Sequence, residues 1–69
     1  MQHKEEKMVG FRTNNSTYLV DQSRKQISGG IFGDRLFDYE KVVVILGNPA
    51  EITLKNGRVV RTSTVTYRM

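Results

Sequence analysis

Seven carboxylates, one histidine and no cysteine bound the acid–base and nucleophilic chemistry open to this 69-residue chain. His3 sits in the polar stretch Met1-Gln2-His3-Lys4-Glu5-Glu6-Lys7, with no thiol and no second histidine to work with. A nucleophile needs an adjacent base and an orienting group, and that set cannot be assembled here. Asp38 and Glu40 stand at strand spacing and would share a face, as an acid–base pair does. Nothing apolar surrounds them in the sequence to split their pKa values, so they read as solvated surface charge, as do Asp21, Asp34 and Glu51.

Metal chemistry is equally unsupported, because only oxygen ligands remain and no Asp-x-Asn-x-Asp loop occurs. Gly29-Gly30-Ile31-Phe32-Gly33 has the glycines of a phosphate-cradling loop, but Asp34 and Arg35 occupy the places of its lysine and hydroxyl. A tight turn beside a packed Phe32 explains these glycines better. The expectation is a protein that is not an enzyme and that carries no metal and no cofactor.

Charge is more informative. Residues 1–54 carry seven basic and seven acidic side chains, whereas residues 55–69 carry Lys55, Arg58, Arg61 and Arg68 and no acid, so the net +4 lies at one end. Those cations, with Tyr67 or Tyr18 to stack a base, are the candidate contact for nucleic-acid phosphates or for an acidic partner. The alternative is that arginines on a solvated strand face keep an edge from pairing with other chains.

The elements that must position these groups are strands. β-Branched and aromatic residues recur in short runs separated by Gly, Asn, Asp or Pro. Residues 9–13 and 17–21 predict a hairpin turned by Asn14-Asn15-Ser16. The two glycosylation patterns in that segment read as turn chemistry, since no secretory leader precedes them. Ser23-Arg24-Lys25 predicts a second turn, and Gln26-Ile27-Ser28 a short strand stopping at Gly29-Gly30. Residues 29–41 predict an ordered loop pinned by the rings of Phe32, Phe37 and Tyr39, with Asp34 capping a single helical turn. Val42-Val43-Val44-Ile45-Leu46 is apolar throughout and predicts a central strand covered on both faces, ended by Gly47-Asn48-Pro49.

Residues 51–54 and 59–62 flank Lys55-Asn56-Gly57-Arg58, the strongest hairpin signal in the chain. Two registers are open. A two-residue turn would set Ile52 against Arg61, whereas Gly57 as a bulge sets Ile52 against Val60; the apolar partner favours the bulge. Residues 63–67 then continue as a last strand. The expected fold is all-β: a small SH3-like barrel of five to six strands, or a strongly curved antiparallel sheet, over residues 8–69, with residues 1–7 a disordered polar tail. If the sheet stays open, a second copy must cover residues 42–46, which makes a homodimer.

Asn15-Ser16-Thr17-Tyr18-Leu19-Val20-Asp21 and Thr62-Ser63-Thr64-Val65 are similar to the opening and closing segments of short uncharacterised proteins of tailed phages and prophages. In those proteins the closing segment often has proline where Thr64 stands here. The resemblance implies a phage or mobile-element origin, and it carries over no catalytic residue. With no leader and no apolar span, a cytoplasmic location is expected, in the host if phage-encoded, and no membrane contact. The leading expectation is a protein-binding module, an inhibitor of a host enzyme or defence complex, with Phe32, Phe37 and Tyr39 as anchors. The alternative is a nucleic-acid-binding small β-barrel using the basic C-terminal hairpin.

Overall fold

Alternation of inward apolar and outward polar residues is what shapes the first two strands. In the computed structural model, which describes residues 8–69, β1 (Met8–Thr13) and β2 (Thr17–Asp21) pair antiparallel. Phe11 stands opposite Tyr18, and Val9 opposite Val20. β3 (Gln26–Gly29), β4 (Phe37–Val43), β5 (Pro49–Leu54) and β6 (Val59–Arg68) follow. Each pairs antiparallel with its predecessor, and β6 returns to β1, so six strands close into a ring. The fold is all-β, as expected. The expected tail at residues 1–7 lies outside the described residues.

Side-chain acceptors hold the turns. The buried Thr13 hydroxyl accepts from the amides of Asn15 (3.2 Å) and Ser16 (3.1 Å). Asp21, also buried, accepts at Oδ1 from the amides of Ser23 (3.0 Å) and Arg24 (3.1 Å). Asn56 does the same for the Arg58 amide at 2.9 Å. These short local bonds offer the chain a turn where the ladder ends. The Asn15 side chain donates to Ser63 Oγ at 2.8 Å, which docks the first turn against β6.

At the β5–β6 hairpin the bulged register is the one found. Ile52 faces Val60, the Leu54 amide donates to the Arg58 carbonyl, and Gly57 has φ +93°. β6 carries a further irregularity opposite the stretch between Pro49 and Glu51. There the Ala50 amide donates to Thr62 Oγ1 at 3.0 Å instead of to a ladder carbonyl. The extra residue flips the strand's phase, so that Val60 and Val65 both turn toward the interior.

Ten residues form the core: Phe11, Tyr18, Val20, Ile27, Phe32, Tyr39, Ala50, Ile52, Leu54 and Val65. Phe11 and Tyr18 stack with centroids 4.9 Å apart, Phe32 meets Tyr18 edge-on at 6.1 Å, and Phe37 leans on Phe32 at 5.0 Å.

Three expectations about the middle of the chain are corrected. The single helical turn is Gly30–Phe32, ahead of Asp34, and it starts at Gly29 with no side-chain cap. Residues 37–41 are already strand β4, not loop. The strand expected at residues 42–46 ends at Val43, with Ile45 and Leu46 exposed. The cause is an extra residue in β4 between Tyr39 and Lys41. Up to that point odd-numbered Phe37 and Tyr39 face inward; beyond it even-numbered Val42 and Val44 do, and the chain then leaves the sheet through Gly47 at φ +88°. No residue of the apolar run is fully buried: Val42, Val43 and Val44 are half-buried, and Ile45 and Leu46 are exposed.

Candidate binding cleft

Beyond its extra residue, the second half of β4 borders a concavity together with the start of β1. Between them lies a cleft of about 460 Å³. Its floor is apolar: Phe11, Val20 and Tyr39 are buried, and Val9, Val42 and Val44 are half-buried. Its rim is polar and charged, with Glu40, Lys41, Gln22 and Arg68 all exposed. A volume of this size lies within the range of ligand-binding clefts.

Electrostatics at the floor centre on Tyr39. Burial pushes its phenol above the ordinary value of 10.0, and the Asp21 carboxylate pushes the same way. The phenol therefore keeps its proton at neutral pH. The pair Asp38 and Glu40 does not converge on a site: both are exposed, and Asp38 accepts a bond from Gln26 Nε2 at 3.2 Å. Among the described residues no group of three or more His, Cys, Asp or Glu side chains is placed to hold a metal ion. No helix of the described residues is long and apolar enough to cross a membrane.

The aromatic residues expected to anchor a partner are placed elsewhere. Phe32 and Tyr39 are buried and Phe37 is half-buried against Phe32, so these rings are spent on the core. Closing a ring this small needs large side chains inside it, and the middle segment supplies them. That loop instead exposes Ile31 and Leu36, each at 63%. Tyr18, expected as a stacking ring, is only 2% exposed beneath Phe11, and its hydroxyl accepts from the Ile31 amide at 3.3 Å.

The four C-terminal cations do not form one patch. Lys55 and Arg58 lie at the hairpin turn, and Arg61 is engaged by Glu51, with Nε 3.2 Å from Oε2. Arg68 ends β6, up to about 33 Å along the strand from Arg58 at the usual rise, and it borders the cleft. Tyr67 is exposed at 56% and stands directly opposite Arg12 on β1. Tyr67, Arg12, Thr17 and Met69 edge a second groove of about 300 Å³.

The cleft was not legible in the sequence. Its rim brings Gln22 and Arg68 to Glu40 and Lys41 from distant parts of the chain, and the extra residue in β4 leaves no signal in composition or periodicity. Comparison of the chain with protein-family models, curated proteins and solved structures finds no match.

Proposed function

We propose that this chain is a non-enzymatic protein-binding module that engages its partner at the cleft between β1 and β4. The observation that carries this reading is the combination, in one concavity, of an apolar floor with a rim of Glu40, Lys41, Gln22 and Arg68. Specific interfaces have this anatomy, a desolvated apolar centre inside a polar border. The exposed Met69 also borders the cleft and adds apolar surface to it. The phage resemblance supports a mobile-element origin and a host factor, such as an enzyme or defence complex, as the partner.

The nucleic-acid reading has weaker support, since the cations are spread from the β5–β6 turn to the end of β6 and Arg61 is already paired. One experiment separates the two. The protein and its double variant Lys41→Glu, Arg68→Glu are used to capture partners from host lysate, with nuclease treatment of half of each sample. A nuclease-resistant protein retained by the parent and lost from the variant is the expected result. Equal capture by both, or recovery of nuclease-sensitive material alone, overturns the reading.

A further inference from the structure

Six consecutive residues, Tyr39 to Val44, border the cleft, and Val9, Gly10 and Phe11 border it from the other wall. Successive side chains of a strand point to opposite faces, so an unbroken run of residues can border one cavity only where the backbone edge itself forms the wall. The pairing of β4 explains why that edge is open. β3 matches β4 only at Gln26 with Asp38 and Ile27 with Phe37, and the Tyr39 amide takes the Lys25 carbonyl at 3.0 Å. From Glu40 onward β5 is the only partner strand of β4 among the described residues.

Open edges are ordinarily blunted by a bulge or an edge lysine. Both devices are present here, but only at the start of the open stretch, at Glu40 and Lys41. Val42, Val43 and Val44 carry no charge and no irregularity, and they are half-buried rather than exposed. Along one edge of that stretch no strand among the described residues pairs with the amide and carbonyl groups, and an added strand is a partner that such an edge takes.

We infer that the cleft receives an extended segment of a partner protein, added as a new strand along residues 40–44. This rests on the protein-binding reading above and specifies its mode. Five residues at about 3.3 Å each give an edge of roughly 16 Å, enough for a partner segment of about the same number of residues. Every second side chain of that segment enters the cleft over Val9, Phe11, Val20 and Val42, so apolar residues alternate along it. Lys41 and Arg68 outnumber Glu40 on the rim, so the segment carries an acidic residue. The same charge balance works against a second copy of the chain, because two molecules of net charge +4 repel one another.

The test is selection of linear peptides from a displayed random library against the full chain. The best selected peptide then serves as the probe for amide hydrogen exchange and for titration. The expected result is a peptide with alternating apolar residues and an acidic one. It protects amides within residues 40–44. N-methylation of alternate peptide amides lowers affinity by roughly tenfold in one phase and leaves it unchanged in the other. Three results overturn strand addition: no peptide selected while rim-dependent capture from lysate persists, protection mapped elsewhere, or equal tolerance of N-methylation in both phases. In the first case the protein-binding reading stands, whereas loss of rim-dependent capture removes both. A dimer in sedimentation that Lys41→Glu dissociates would assign the edge to a second copy and would also refute the inference.

Discussion

Gly30→Ala probes how rigidly the aromatic core is set. Gly30 has φ +50°, and a Cβ built there would land on the Tyr18 ring at Cζ, Cε2 and Oη. The ring cannot swing aside easily, since it is stacked on Phe11 at 4.9 Å, edged by Phe32 at 6.1 Å and bonded to the Ile31 amide. A left-handed backbone costs an L-residue about 1–2 kcal/mol, and forcing a methyl into a filled core costs about 1–3 kcal/mol. Removing glycine's freedom in the unfolded chain returns about 0.5–1 kcal/mol. The net loss expected is roughly 1–4.5 kcal/mol, out of a total of about 3–10 kcal/mol for a chain of this size. Gly57→Ala is the control: its φ is +93° with nothing within 4 Å, so only the backbone cost of about 1 kcal/mol applies. Urea unfolding of both variants measures the difference. If Gly30→Ala costs no more than Gly57→Ala, the Tyr18 ring is mobile and the account of the core is wrong.

Stability should fall with alkali in a way that Tyr39 controls. Its phenol is raised in the folded state above 10.0, so the folded chain keeps a proton that the unfolded chain releases. The stabilisation is therefore complete below pH 10.0 and is lost as pH rises through the folded value. Tyr39→Phe should remove that part of the alkaline decline in urea midpoint, and an unchanged decline would refute the assignment. Thr62→Val leaves the buried Ala50 amide without its acceptor and should cost about 1–3 kcal/mol by the same unfolding assay. Arg61→Gln removes an exposed ion pair with Glu51, so its effect should stay below about 1 kcal/mol and shrink with added salt.

Turns were the most legible part of the sequence. Asn14-Asn15-Ser16, Ser23-Arg24-Lys25 and Asn56-Gly57 each mark a place where local hydrogen bonding competes with the ladder, and strands end at each. The register at Gly57 followed from the need to give Ile52 an apolar neighbour. The apolar run from Val42 misled because an extra residue near Glu40 changes which side chains face inward. Nothing in residue type announces that change. The rings of the middle segment were equally ambiguous, since a phenylalanine suits a core and a binding surface alike, and only ring closure decides for the core. The cleft depends on both facts, and so it emerged only with the three-dimensional arrangement.

The contact between β1 and β6 sets Phe11 against Arg68 and Thr13 against Val65, segments at opposite ends of the described chain. Each of the other strand pairs joins neighbours in sequence and can form as a local hairpin. The last seam cannot, because the whole intervening chain must first be folded around to bring its two sides together. During synthesis the half-built sheet must therefore wait, its edges unsealed, until the final strand arrives, and that interval is when the protein is most exposed to association with other chains.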